Sequence, residues 1–435
     1  MSATADFKTA DAVTYHIQQL INNAPHAGKN KIHTDKLVEI FSAVTEISAS
    51  DDMNNWQDAD LQSGVAISPV QAARCLQETV RTQIFLKGVA KAIEEKLQQH
   101  KRINILYAGT GPYGLLLLPL LRLINSTCIT ATLLDIHPEN IAAVKKIIQY
   151  LRVEKNVKLT ELADATCWHP ITEESFDLII SETMNNLLRR EPQIAVFSHL
   201  QQYLKHDGEL IPQGIDIGAE LINTKKDSDT SIDLGVFFQC NKNNLNALHN
   251  GDMTSLSGEI ALPEKINRSK YNSLKFTTVI DVYGNHQLRE SQCSLNIPIY
   301  YHDLKLQEGG YVGFEYLLND NPKFEFDIPQ VKLKKQLPPI NEVGSLKIAH
   351  IKRFWHKSQL SRANQLDKNT HQSEWPLDLR LMELLDLPVD KTLSFLYQEQ
   401  PEFNEFEQWL RNEVTTSKLA APGKINEELL DDIAL

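Results

Sequence analysis

Residues 103–191 constrain this chain more than any other stretch. The run opens INILYAGTGPYG, continues through TATLLDIHPENI and ELADATCW, and closes with FDLIISETMNNLLRRE. Ile103, Ile105 and Leu106 form a short apolar pattern that ends at Gly109-Thr110-Gly111, with Gly114 three residues on. Further short apolar runs alternate with helical patterns, the order of βαβ units on a parallel sheet. A glycine turn between strand and helix brings backbone N–H groups close to a ligand. A second strand over residues 131–134 ends in Asp135, 24 residues past Gly111. A carboxylate there is placed to accept hydrogen bonds from ribose hydroxyls. A nucleoside-containing cofactor is therefore expected.

Gly109, Gly111 and Gly114 fit the loose dinucleotide spacing GxGxxG, a weak signal alone that a ligand-free turn also satisfies. The downstream strands point away from a nicotinamide dinucleotide. A third strand leads to Ala163-Asp164-Ala165, and a fourth, residues 176–180, ends in Ser181-Glu182. An acidic residue after the third strand suits an adenine amino group. An acidic end on the fourth faces the reacting centre. This order resembles the class I S-adenosylmethionine-dependent methyltransferases.

SETMNNLLRRE carries Glu182 and Glu191 nine residues apart. On one straight helix they would lie on opposite faces. To act together they need a loop that doubles back, and Pro192 suits the break. The segment resembles the double-glutamate loop of the protein arginine methyltransferases at Ser181, Glu182, Met184, Leu187, Leu188 and Glu191. Upstream, LQETVRT (residues 76–82) resembles the helical segment that precedes the cofactor fold in that family. The resembling region runs from about residue 68 to 215.

The resemblance implies S-adenosylmethionine as cofactor and a guanidino nitrogen of arginine as acceptor, in a protein or in a small metabolite. It implies that Arg81 pairs with the cofactor carboxylate, that Gly109 and Gly111 give its backbone approach, that Asp135 takes the ribose, and that Asp164 and Ala165 take the adenine. Glu182 and Glu191 become the catalytic pair, each accepting N–H bonds in fork geometry and aiming one nitrogen at the methyl group. Two departures bear on the acceptor pocket. Thr183 stands where family members carry an aromatic residue, and the family's late Thr-His-Trp triplet is missing. The nearest candidates are Ala349-His350 and Trp355-His356; His350 stays outside the catalytic set. A methyltransferase of another amine or small nucleophile, and a non-catalytic S-adenosylmethionine-binding scaffold, remain as alternatives.

At 435 residues the chain can bury sizeable cores in two or three domains. A net charge of −12 disfavours nucleic-acid or anionic-membrane binding and suits a cationic acceptor. Five scattered cysteines show no CxxC pair and no metal-ligand spacing. They imply free thiols in a reducing compartment, hence a cytoplasmic protein with no metal site. The first residues lack a basic start followed by an apolar core, so no secretory signal is expected. The leucine-rich run at 115–121 is too short to span a bilayer and reads as the helix after the glycine turn.

The expected architecture is α/β: a Rossmann-like methyltransferase domain, then a mostly antiparallel, barrel-like β domain, with helical N- and C-terminal extensions. Residues 1–60 are read as the N-terminal extension, with helices at 12–22 and 35–48. Residues 61–210 are the cofactor-binding domain with its leading helix, largely helical over 64–99 and with a helix at 193–204 closed by Gly208. Residues 211–335 alternate β-branched and aromatic positions, with strands at 274–281 and 311–318 and loops at 225–230 and 241–250. Residues 336–435 form a linker, a short element at 346–355 and a helical region where Leu379, Met382, Leu385, Phe403, Phe406 and Leu410 follow helical spacing, then a frayed tail from 426. A homodimer is left open.

Overall fold

The computed structural model describes residues 3–52, 56–222, 231–267, 271–302, 304–331 and 387–416, together with Trp355, Ser358 and Met382. Contacts divide the chain into two units, Met1–Lys332 and Leu333–Leu435.

The first unit opens with α1 (Ala3–Asn22) and α2 (Ala27–Thr45), each longer at its start than spacing alone predicts. His26 caps α2 by accepting from Lys29 N at 3.1 Å, and Glu46 ends it in the left-handed region at φ 66°. Val13, Ile17 and Leu20 on one helix and Leu37 and Phe41 on the other are fully buried. The two helices pack on other helices rather than on the sheet below. Gln83, also fully buried, sends its amide to Leu20 O (2.8 Å) and Asn23 O (2.9 Å).

A short hairpin, β1 (Ala59–Leu61) and β2 (Gly64–Ala66), stands where the sequence predicts the start of a helix. Val65 N donates to Arg190 O at 2.7 Å, a partner 125 positions away that no local pattern reveals. Then come α3 (Pro69–Arg74), a 3₁₀ turn, and α4 (Thr79–Gln99), which carries Arg81.

The alternating stretch builds β3 (Ile103–Ala108), α5 (Leu118–Ile124), β4 (Ile129–Asp135), α6 (Pro138–Leu151), β5 (Val157–Leu162), β6 (Phe176–Ser181), α7 (Gln193–Leu200) and β7 (Leu204–Ile211). All five strands are parallel, in the order β5-β4-β3-β6-β7. β3 is central, so its carboxyl end lies where the winding direction switches, the place where such sheets bind ligands. The helix after the glycine turn starts at Leu118, not 115, with Pro119 in its first turn where a missing N–H costs nothing. Residues 204–208 are strand rather than helix end. Lys205 anchors that strand to the buried Asp177 at 2.8 Å, and Gly208 lies in it with no left-handed turn.

The antiparallel region comprises β8 (Gly214–Ile222), β9 (Ile232–Asn241), α8 (Lys242–His249), β10 (Ser257–Ala261), β11 (Ser273–Tyr283), β12 (His286–Leu288), β13 (Ile299–Tyr301), β14 (Tyr311–Leu317) and β15 (Lys323–Asp327). One sheet runs β12-β11-β8-β9, with β13 also on β11; the other runs β10-β14-β15. They share an aromatic core in which Phe276 stacks on Phe326 at 4.2 Å and Phe237 meets Phe314 at 4.8 Å. Residues 242–249 are helical, not loop. Asn241 caps the helix by accepting from Asn243 N and Asn244 N, and Leu245 and Leu248 are buried.

In the second unit, α9 (Val389–Ser394) and α10 (Phe403–Thr416) share a small core with Met382, Leu387 and Leu396. Phe406 is fully buried and Trp409 stacks on Phe395 at 4.8 Å. The linker at 336–342, His350, His356, Leu379, Leu385 and the tail from 426 lie outside the described residues, as do the side chain of Leu410 and the loop at 225–230. Among the described residues no helix is long and apolar enough to cross a membrane, and no group of three or more His, Cys, Asp or Glu could hold a metal ion. The five cysteines are unpaired.

Candidate functional site

At the carboxyl end of the parallel sheet lies a cavity enclosing about 1080 Å³ of space continuous with solvent. Arg81, Gly109, Gly111, Asp135, Asp164, Ala165, Glu182 and Glu191 all line it. They come from α4, from the ends of β3, β4 and β6, and from the loops after β5 and β6.

The glycine turn forms one wall. Gly109 and Gly111 have φ of +72° and +59°, which side chains resist, and a Cβ on Gly109 would lie 2.5 Å from Thr183 Cγ2. The turn's N–H groups do not stand open to the cavity as the sequence suggests. Gly109 N donates to Leu134 O (2.9 Å), Thr110 N to the same oxygen (3.3 Å), and Gly111 N to Asp135 Oδ2 (2.9 Å). Asp135 accepts from four donors. Its Oδ2 also accepts from Thr110 Oγ1 (3.3 Å), and its Oδ1 accepts from His137 N (2.9 Å) and Asn140 Nδ2 (3.0 Å). Burial holds its carboxyl above the ordinary range despite these donors. Asp135 therefore ties the turn to the start of α6, in addition to facing the cavity. Among the described residues Asp164 commits only Oδ1, to Thr166 N (2.8 Å) and Thr166 Oγ1 (2.7 Å).

The loop from Glu182 to Glu191 forms the opposite wall, and it doubles back. Leu187, Leu188 and Arg190 sit at φ of 55°, 52° and 66°, costly positions for residues with a Cβ. The surroundings hold them there. Leu187 N donates to Thr278 Oγ1 (3.2 Å), Tyr316 OH to Leu188 O (2.8 Å), and Arg190 N to Pro322 O (2.8 Å). The antiparallel region thus shapes the loop that carries both carboxylates.

Arg81 ties α4 to the double-glutamate loop. Its Nη2 pairs with Glu182 Oε2, and its Nη1 pairs with Glu78 Oε2 at 2.8 Å. Burial opposes the guanidinium charge, but Cys75, Glu182 and Glu78 around it hold its pKa above the ordinary value. Glu78 is fixed from the antiparallel region, accepting from Ser294 N (2.7 Å) and Ser294 Oγ (2.8 Å). Burial raises its pKa; Arg81 and these donors overcome that and hold it below the usual carboxylate range.

Glu182 is half-buried, and desolvation holds its carboxyl up although Arg81 pulls it down. Its Oε1 has no hydrogen-bond partner among the described residues. Glu191 is 8% exposed, and burial followed by the charge of Glu182 pushes its carboxyl up to about 8. At neutral pH it holds its proton. The wall thus presents two carboxyl groups that burial pushes up, a site that gains from an incoming cation rich in N–H donors.

Sequence reading missed Glu78, Ser294 and Gln193. Glu78 precedes Arg81 by three residues, a spacing that pairs charges on a helix and could have flagged it. Ser294 and Gln193 act through tertiary contacts with no local signature. His350 and His356, the nearest sequence candidates for the missing triplet, lie outside the described residues.

No family model and no curated protein matches the chain. Among solved structures it is similar to a chain of the Trypanosoma brucei PRMT1 enzyme–prozyme heterotetrameric complex with AdoHcy. That similarity has a TM-score of 0.43 and 13% identity, covering 61% of this chain and 94% of that one.

Proposed function

We propose that this chain is an S-adenosylmethionine-dependent N-methyltransferase whose acceptor is a guanidino nitrogen of arginine, in a protein or in a small metabolite. The observation that carries the reading is the pair of carboxyl groups, the buried Glu191 and the half-buried Glu182, in one cavity with a glycine turn and a buried arginine. In this reading residues 61–210 hold the cofactor, 211–335 form the acceptor wall, and 1–60 and 336–435 flank them.

The residues fit the cofactor's chemistry. Gly109 and Gly111 line the cavity, Asp164 keeps one oxygen for an amino group among the described residues, and Arg81 offers a buried cation to a carboxylate. Asp135 meets ribose from a carboxylate already braced by four donors. When bound, S-adenosylmethionine supplies an electrophilic methyl group on a sulfonium. Guanidinium is a poor nucleophile because its pKa exceeds about 12 and its lone pairs are delocalised. Glu182 and Glu191 answer this by accepting N–H bonds, fixing the guanidinium plane and holding positive charge on the nitrogens that do not react. Arrival of that cation favours ionisation of Glu191, so acceptor binding releases a proton near neutral pH. With the methyl donor bound, Glu182 and Glu191 would aim the acceptor nitrogen at its methyl group, and a carboxylate of the pair or solvent would take the proton that nitrogen gives up.

The test is incubation of the pure protein with methyl-labelled S-adenosylmethionine and a cell extract, followed by separation of label by size. Label on macromolecules that acid hydrolysis releases as methylarginine supports a protein acceptor. Label on small molecules, reproduced with free arginine alone, supports a metabolite. Label on any other amine overturns the arginine assignment. Cofactor binding without transfer in either fraction overturns the enzyme reading in favour of a scaffold.

A further inference from the structure

We infer that Gln193 is a positioning residue that sets Glu182 and Thr183 against the glycine turn. It is the first residue of α7, two positions past Glu191, and its side chain is fully buried. The amide reaches back across the base of the loop to the end of β6. Its Oε1 accepts from Thr183 N (2.8 Å) and Thr183 Oγ1 (3.2 Å), and its Nε2 donates to Ser181 O (3.3 Å). One side chain therefore brackets Glu182 on both sides.

The hydroxyl of Thr183 is held between Gln193 and Ser181 Oγ (3.3 Å), and its methyl lies over Gly109, where an added Cβ would come within 2.5 Å. The amide thus fixes the side chain nearest the turn as well as the carboxylate beside it. The left-handed residues at 187, 188 and 190 are held at the loop's apex by Thr278, Tyr316 and Pro322. At its base Gln193 joins strand to helix. Without it, buried polar groups at Thr183 and Ser181 lose their partners and the base can open. A displacement of about 1 Å in such a site costs on the order of 10²-fold in rate.

The kinetic part rests on the proposed methyltransferase reading; the ionisation of Glu191 supplies a readout that does not. That carboxyl group faces Glu182, Arg81, Arg190 and Asp58, and its proton is held by burial and then by the negative charge of Glu182. Moving Glu182 away weakens that repulsion.

The experiment compares wild type with Gln193→Leu, which keeps bulk but no hydrogen bonds, and Gln193→Glu, which keeps both acceptor bonds to Thr183. Turnover, S-adenosylhomocysteine affinity by calorimetry, and the Glu191 titration by carboxyl ¹³C NMR are measured on the full chain. Gln193→Leu is expected to lower kcat by roughly 10- to 100-fold, leave affinity within about 2-fold, and move the Glu191 midpoint downward. Gln193→Glu should recover part of the rate. Unchanged kcat with an unchanged Glu191 midpoint overturns the inference. So does loss of rate matched by equal loss of cofactor affinity and melting temperature, or equal loss in both variants. If Gln193→Leu does not fold, wild-type turnover in Gln193→Glu overturns it and a partial loss supports it. If wild type transfers no methyl group, the functional reading fails and the titration alone decides the role of Gln193.

Discussion

The two walls of the cavity are built on opposite principles. Around the glycine turn the polar groups close on each other: three consecutive N–H groups end on β4, and Asp135 takes four donors. Around the double-glutamate loop they do not. Glu182 is half-paired among the described residues, burial and then the charge of Glu182 hold the proton on Glu191 against the pull of Arg81 and Arg190, and three residues with side chains hold left-handed backbone. The first wall is a rigid, electrically quiet floor. The second stores backbone strain and, among the described residues, one unsatisfied carboxyl oxygen, with the antiparallel region fastening the loop. A rigid floor suits a ligand held the same way through a reaction, and a charged, strained wall suits the group whose charge changes.

The sharpest way to break this comparison is Glu182→Gln. It should lower turnover roughly 10²- to 10³-fold while cofactor affinity stays nearly intact, measured by single-turnover assay and calorimetry. Equal activity would remove Glu182 from the reactive wall.

Asp135→Ala attacks the other wall and should show the reverse. Four donors lose their acceptor, each buried loss costing about 1–3 kcal/mol where water cannot enter. Cofactor affinity should fall at least about 10-fold, with a lower melting temperature. A titration with unchanged affinity would refute both the ribose role and the bracing role.

Glu191 gives a pH signature. Its carboxyl is raised in the folded state from an ordinary 4.5 to about 8. The folded protein therefore holds this proton where the unfolded chain has lost it. The stability this provides is fully present below about pH 4.5 and is lost as pH rises through about 8. Melting temperature should fall across that window in wild type relative to Glu191→Gln, which should be the more stable of the two near pH 9. Parallel curves would show that the group ionises normally.

Gly109→Ala is the mildest probe. The left-handed φ and the 2.5 Å approach to Thr183 Cγ2 predict a loss of about 1–2 kcal/mol in a urea melt. Adding Thr183→Ser should recover part of it by removing the methyl group. No recovery would place the strain in the backbone alone.

Strands β3, β4 and β6 were legible because each is a largely apolar run that ends at a glycine or an acidic residue, whereas β5 and β7 carry charged residues. Residues 131–134 and 176–180 fall inside β4 and β6 as observed. Residues 64–66, 204–208 and 242–249 were misread for related reasons. Val65 pairs with Arg190, Lys205 reaches Asp177, and Leu245 and Leu248 find a buried surface, so distant partners decide the local state.

The eight residues singled out in sequence line one cavity because glycine turns and strand-end acids sit where chain direction and sheet winding put them. Spacing alone could say that Glu182 and Glu191 meet only if the loop reverses. Sequence thus determined which chemical groups stand at the carboxyl ends of the parallel strands, since periodicity and turn residues are local properties. Tertiary structure decided their charge state and partners. The proton on Glu191, the Arg81–Glu182 pair, the Ser294 grip on Glu78 and the Gln193 tether arise from burial and contacts between segments far apart in the chain. Desolvation and hydrogen bonding act through space, and they have no signature in a window of neighbouring residues.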